Sequence, residues 1–175
     1  MSMMELAYIA GLFDGEGCVR IARRHRYGKP GDARKRCEMY YLEVRITNQD
    51  PRLLYPLKDR FGGSVHVTKP PQGTQRPVFA WIASTQIALK FMLAIRPWLI
   101  SKADQVDIAI QFQQAKKHHG KPKLGLSAEY KQRERDQYAE ITALKYRAFD
   151  PVDFGMVANS GDTQNGQSRA KQPLQ

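Results

Sequence analysis

The chain has 175 residues, with 28 Lys and Arg against 17 Asp and Glu for a formal charge of +11, and it is 42% hydrophobic and 26% charged. Those proportions fit one globular domain with a real core and exclude a wholly disordered or collagen-like chain. No apolar stretch approaches the ~20 residues that span a bilayer, and the start Met1-Ser2-Met3-Met4-Glu5 lacks the basic segment and apolar run of a secretory signal, so an intracellular protein with no membrane partner is expected.

Glu5 to Asp14 is apolar, with small residues at Ala7, Ala10 and Gly11. Ser2 followed three residues later by Glu5 is a capping-box pattern, which predicts a short helix ending at Gly15 and Gly17. From Cys18 to Tyr27 the pattern switches to period 2: Val19 and Ile21 share one face, and Arg20, Ala22, Arg24 and Arg26 the other, as in a half-buried strand. The polar segment GKPGDARKRC at 28–37 reads as a loop. Met39 to Thr47 then alternates again, with Leu42, Val44 and Ile46 against Tyr41, Glu43, Arg45 and Thr47. Together the two strands predict an antiparallel hairpin with one oily and one largely cationic face. Cys18 and Cys37 fall near opposite ends of its ladder, which argues against a disulfide, and no second Cys or His stands near either at zinc-finger spacing.

Asp50-Pro51 supplies a cap and a proline for the first helical position, and Leu53, Leu54, Leu57 and Phe61 form the apolar stripe of a helix that Gly62-Gly63 stops. Ser64 to Lys69 and Pro77 to Ser84 make a second hairpin joined by PPQGTQR at 70–76. Phe79 and Trp81 in its second strand suit the core and base stacking equally, because periodicity there leaves the inward face open. Thr85 to Arg96 carries Ile87, Ala88, Phe91, Met92 and Ile95 at helical spacing up to Pro97, and Ser101 to Lys117 aligns Val106, Ala109, Ile110 and Gln113. A basic break, KKHHGKPK at 116–123, follows, its His118-His119 pair reading as solvated. Ser127 then caps a last helix to about Phe149, with Tyr130, Tyr138, Ile141, Leu144 and Ala148 on its packed side. The organisation expected is one domain over residues 1–154 and a disordered polar tail over 155–175. The order helix, hairpin, helix, hairpin, helices predicts an α+β fold, with helices on the oily face of a four-stranded antiparallel sheet and the other face left to water or a ligand.

The charge is unevenly spread. Between residues 18 and 47 nine cations, Arg20, Arg23, Arg24, Arg26, Lys29, Arg34, Lys35, Arg36 and Arg45, meet only three acids. Such an excess points to a polyanion, and charge alone leaves nucleic acid, acidic lipid and acidic protein open.

The segment Ile9-Ala10-Gly11-Leu12-Phe13-Asp14-Gly15-Glu16-Gly17 resembles the signature of the LAGLIDADG homing endonucleases. Six of its nine positions match outright or by the family's usual exchanges of Ile for Leu and Glu for Asp, and Phe13 and Gly15 are common variants. The context also matches, a helix leading directly into a basic-faced hairpin, and the αββαββα order runs to about residue 117 while the last helix matches loosely. The resemblance implies the LAGLIDADG endonuclease-like fold, whose four-stranded antiparallel sheet binds DNA and carries its helices on the other face. Ala7, Gly11 and Gly15 recur on one side of the first helix, allowing close approach of another backbone, while Leu6, Ile9 and Phe13 face the protein's own core. In the family two copies of this helix pack side by side, with their terminal acids at the centre of one active site. One copy occurs here, so the resemblance implies a homodimer with Ala7, Gly11, Asp14 and Gly15 at its interface.

Further roles follow from the resemblance. Glu16, just past the expected helix end, is the metal ligand; with the Gly15 carbonyl and a second subunit it offers hard oxygens suited to Mg²⁺, which bridges scissile phosphates and activates water. Asn48 stands where relatives carry a polar residue, often Gln, that orients water. Arg52 and Lys102 match basic residues that relatives place around the scissile phosphates. The expected catalytic set is thus Glu16, Asn48, Arg52 and Lys102. A two-stranded ribbon fits the DNA major groove, which places Arg20, Arg24, Arg26, Tyr41, Glu43 and Arg45, with His66 and Thr68 on the second hairpin, against base edges. Lys29, Arg34, Lys35, Arg36, Lys69 and Arg76 are expected to meet phosphates.

The sequence therefore reads as a Mg²⁺-dependent, site-specific homing endonuclease, encoded in a mobile intron or similar element. Its expected reaction is phosphodiester hydrolysis that breaks both strands of a long pseudo-palindromic DNA target. Two readings on the same fold stand beside it: an intron RNA maturase, and a DNA-binding protein that does not cleave. A generic basic interaction module accounts for the charge but not for the motif.

Overall fold

A computed structural model describes residues 2–26, 37–70, 73, 76–116 and 127–145. The helices are α1 (Met3–Glu16), α2 (Tyr55–Phe61), α3 (Thr85–Ile95), α4 (Ala103–Ala115) and α5 (Ala128–Lys145). The strands are β1 (Gly17–Arg26), β2 (Cys37–Asn48), β3 (Ser64–Lys69) and β4 (Val78–Ser84), and single 3-10 turns lie at Pro51–Leu53 and Arg96–Trp98. The expected α+β order is therefore present, and the sheet is antiparallel throughout with strand order β1-β2-β4-β3. No helix among the described residues is long and apolar enough to cross a membrane.

Period-2 alternation determines which side chains meet. Val19 lies opposite Val44 and Ile21 opposite Leu42, and all four are buried beneath the helices. The same face of β4 supplies Trp81 and Ala83, so the open question about this strand resolves toward the core. Trp81 is fully buried, its ring centroid is 4.8 Å from that of Phe91, and its indole N–H donates to the Gly62 carbonyl at 2.9 Å. Phe79 packs against the same core. Phe91 also takes Phe13 and Phe61 edge-on at 5.5 and 5.1 Å, which joins three helices and the sheet in one aromatic cluster. Cys18 pairs with Arg45 and Cys37 with Arg26, at opposite ends of the ladder, and Cys18 is a free thiol.

Element ends depart from the expectations for physical reasons. Ser2 and Glu5 form the capping box, but α1 runs past Gly15 to Glu16. Gly15 faces open space and does not stop the helix; the chain turns at Gly17, where a Cβ would run into the Phe13 ring and carbonyl. The expected helix from Asp50 splits into a 3-10 turn and α2, because Pro56 in the first turn of α2 has no N–H for an upstream carbonyl. Gly62 and Gly63 end α2 at φ 90° and 88°, a region favourable to glycine alone, and a Cβ on Gly63 would lie 2.6 Å from the Ile82 carbonyl oxygen. Val106, Ala109, Ile110 and Gln113 are all buried on α4, as are Ile108 and Phe112, since α4 packs between α3 and α5. On α5 Ile141 is buried, and Tyr138 and Leu144 pack against the core. Tyr27, the His118-His119 pair, Ala148, Phe149 and the tail over 155–175 lie outside the described residues.

Candidate functional site

Helix α1 has two unlike sides. Ala10 and Phe13 are fully buried, and Leu6, Ile9 and Leu12 pack against the core. On the other side Gly11 and Gly15 are exposed, with no atom within 4 Å of where a Cβ would stand, and Ala7 is only half-buried. These three lie at intervals of four, so they form a strip at helical spacing whose largest side chain is a methyl. Met4 and Tyr8 stand exposed alongside it, Tyr8 at 61%. Among the described residues nothing requires glycine at positions 11 or 15.

Two of the expected site residues meet at the C-terminal end of α1. The Asp14 carboxylate accepts the Ile100 amide at 2.8 Å, the Lys102 amide at 3.0 Å and the Ser101 hydroxyl at 3.1 Å. The Lys102 ammonium in turn donates to the Asp14 main-chain carbonyl. Asp14 thus satisfies backbone groups of its own chain, fastening residues 100–102 and the start of α4 onto α1. Burial pushes its pKa up, but the hydrogen bonds from the Ile100 and Lys102 amides and from Ser101 outweigh that, holding it below the ordinary carboxylate value.

Glu16 is the last residue of α1 rather than the first beyond it. It is exposed and makes no ion pair or hydrogen bond among the described residues, and the last turn of the helix contains no basic residue. A carboxylate at a helix C-terminus sits at the negative end of the helix dipole, so an external cation is attracted there twice over. The carbonyls of Gly15 and Glu16 have no residue four further on within α1 to donate to them. Free hard oxygens of this kind suit a divalent cation such as Mg²⁺, but among the described residues no group of three or more His, Cys, Asp or Glu is placed to hold one.

Asn48 ends β2 two residues beyond Ile46, the partner of Gly17, so it lies at the same end of the sheet as Glu16. Its side-chain oxygen accepts the Asp50 amide at 2.8 Å. Arg52 is exposed and clamped by Asp50, with its Nε 3.0 Å from both carboxylate oxygens and a terminal nitrogen 2.6 Å from one of them. Their hydrogen bond raises the Arg52 pKa and lowers that of Asp50. Sequence reasoning took Asp50 as a cap alone, which it also is. An acid two residues before an arginine across a proline was the local signal for the clamp.

The outer face of the sheet carries the expected base readers in three arrangements. Arg20 donates to one Glu43 oxygen from Nε at 2.9 Å and from a terminal nitrogen at 2.6 Å, so two residues expected to read separately form one unit. Arg24 donates to the Tyr41 hydroxyl at 3.0 Å and lies 4.7 Å from that ring's centroid. Arg45, between Cys18 and Ile82, has a buried Nε with no hydrogen-bond partner among the described residues. On the second hairpin His66 Nε2 and Ser64 Oγ are 2.7 Å apart, and the Thr68 hydroxyl donates to the Val78 carbonyl at 3.0 Å. Lys69 and Arg76 are exposed. Arg26 ends β1 opposite Cys37, and Lys29, Arg34, Lys35 and Arg36 lie outside the described residues.

No family model and no curated protein matches the chain in sequence. Solved structures do match it in fold. The homing endonuclease I-CvuI, in complex with the I-CreI target, aligns with a TM-score of 0.62 at 12% identity over 83% of this chain and 84% of that one. The archaeal intron-encoded homing endonuclease I-Vdi141I, complexed with DNA, aligns with a TM-score of 0.61 at 15% identity over 87% and 92%. The LAGLIDADG homing endonuclease I-SmaMI, bound to cleaved DNA, aligns with a TM-score of 0.54 at 16% identity; the match covers 93% of this chain but 51% of that one. With the sheet order, the helices on its inner face and α1 running directly into β1, these likenesses show that the chain has the LAGLIDADG homing endonuclease fold.

Proposed function

We propose that the chain is a site-specific DNA endonuclease acting as a homodimer, its active site formed where two copies of α1 meet. The observation that carries this is the carboxylate of Glu16, unpaired among the described residues, at the end of a strip of exposed small residues and directly before a strand with outward-facing cations. Gly11 and Gly15 let a second α1 approach closely, which sets the two Glu16 side chains near one axis. The half-length match to I-SmaMI supports a reading in which two copies of this chain equal one longer chain.

In this reading the two Glu16 carboxylates and neighbouring Gly15 carbonyls hold Mg²⁺. Held there, Mg²⁺ would supply charge neutralisation at the scissile phosphates and a lowered water pKa for phosphodiester hydrolysis. Lys102, fastened to α1 through Asp14, lends positive charge beside the same phosphates. Arg20 with Glu43, Arg24 with Tyr41, and Arg45 read bases in the major groove. Lys69 and Arg76, together with Lys29, Arg34, Lys35 and Arg36, meet phosphates; the homing role and the mobile intron belong to this reading.

The test is selection of cleavage sites from a randomised duplex library with Mg²⁺, with Glu16→Gln in parallel. The wild type is expected to make discrete double-strand cuts, and the variant to lose at least about 10²-fold in rate while binding the same site. Light scattering of the complex should give the mass of the duplex plus twice the 20.0 kDa chain mass. Cutting by a monomer would sink the shared-site mechanism. The capture of Asn48 by the Asp50 amide and of Arg52 by the Asp50 carboxylate favours a second reading, a binding protein on this fold that does not cleave. Tight binding of duplex or intron RNA without cuts would select it.

A further inference from the structure

The inner face of the β1–β2 hairpin changes character along its length. Near α1 it is apolar, with Val19, Ile21, Leu42 and Val44 in the core. Farther out Arg23 lies opposite Tyr40 and His25 opposite Glu38, where few apolar side chains remain to anchor the hairpin. α5 covers this outer stretch with specific contacts. The Tyr138 ring lies 5.5 Å from that of Tyr40, and the Arg23 guanidinium is 5.8 Å from the Tyr138 ring. Glu38 is approached by Arg135 at 3.7 Å and by Arg23 at 3.8 Å, and it accepts the Tyr40 hydroxyl at 3.1 Å. From the end of α4, Lys116 donates to the Tyr40 carbonyl and pairs at 3.3 Å with Glu134, which is 6% exposed.

The Arg135–Glu38 and Arg23–Glu38 pairs lie close to solvent, where ion pairs contribute little to stability, so a stability role is a weak account of them. The contacts of Tyr138 with Tyr40 and Arg23, of Arg135 with Glu38 and of Lys116 with the Tyr40 carbonyl do restrict geometry, because each crosses from a helix or its end to a strand. The opposite face of the same stretch displays Arg24 already joined to Tyr41. We infer that α5 is a positioning element for DNA reading: Arg135 and Tyr138 hold the outer part of the hairpin so that the Arg24–Tyr41 unit meets its base pair at a fixed depth. Tyr138 and Arg135 touch no DNA in this scheme; they act through Tyr40 and Glu38. The inference rests on the DNA-reading proposal above.

The experiment uses the full chain and its selected duplex. Base preference is measured position by position for the wild type, Arg135→Ala, Tyr138→Ala and Arg135→Lys. Arg24→Ala and Arg45→Ala mark which base pairs the outer and inner parts of the hairpin read. Arg135→Ala and Tyr138→Ala are expected to lose about three- to tenfold in discrimination at the Arg24 positions and nothing at the Arg45 positions, with Arg135→Lys restoring most of it. In the DNA-free protein, amide exchange at residues 22–24 and 39–41 should quicken while residues 43–46 stay protected. A uniform loss at all positions, or unchanged preferences, would overturn the inference. Arg135→Ala leaves the core intact, so it decides the matter if Tyr138→Ala unfolds. A wild type with no preference for any duplex defeats the endonuclease reading, and unchanged exchange in the variants separately defeats the positioning role.

Discussion

The two sides of α1 are built on opposite rules. On the inner side Phe13 is specified by what it touches, the Phe91 ring at 5.5 Å and a closed core, and Gly17 by what its missing Cβ would strike. On the outer side a Cβ at Gly11 or Gly15 would meet nothing within 4 Å among the described residues. Glycine inside an exposed helix costs about 1 kcal/mol relative to alanine, and no described contact offsets that cost at either position, which is what the dimer proposal accounts for. A helix can thus be over-determined on one face and under-determined on the other, and the second condition marks the functional side.

The largest effect should come from the inner side. Phe13→Ala is expected to cost about 3–5 kcal/mol in denaturant unfolding, since it removes a ring from a closed aromatic cluster. Gly11→Leu should do the reverse: unfolding of the isolated chain changes by less than about 1 kcal/mol, while self-association measured by sedimentation weakens by about 10- to 100-fold through overpacking. If Gly11→Leu unfolds the chain instead, the outer side is not open and the contrast fails. Smaller again is Asp14→Asn, at about 1 kcal/mol, because the carboxylate is partly exposed and solvent screens its contacts. Its folded pKa is depressed, so its contribution is full above the ordinary carboxylate value of about 3.9 and is lost as pH falls through the lower folded value. The acid limb of the wild-type stability curve should therefore be steeper than that of Asp14→Asn, and parallel limbs would show that the Ile100–Lys102 contacts carry no linkage.

What was legible in the sequence was local. Alternation over residues 18–47 assigned Val19, Ile21, Leu42 and Val44 to the core and the arginines around them to the open face, and Ser2 with Glu5 announced the start of α1. Other features depended on distance along the chain. The Arg20–Glu43 pair requires the cross-strand register, which alternation does not set, and Asp14 meets Ile100 across 86 residues. The inward face of β4 was invisible because Val78 to Ala83 is apolar at nearly every position, leaving no polar residue to mark the outside. Arg23 looked like one more surface cation of a basic strand. Its turn toward α5 depends on a helix more than a hundred positions later.

The junction between α1 and β1 has no loop: Glu16 closes the helix and Gly17 opens the strand. At extended-strand spacing the four steps from Glu16 to Arg20 cover about 13 Å. The segment is therefore a ruler, one end bearing the carboxylate and the other the Arg20–Glu43 unit, with no flexible joint between the graduations. Inserting one residue there would lengthen it by about 3.3 Å and also turn every later side chain of β1 to the wrong face. Point substitutions can change the side chain at either mark, but in the proposed function the distance between cutting and reading is set by the backbone itself.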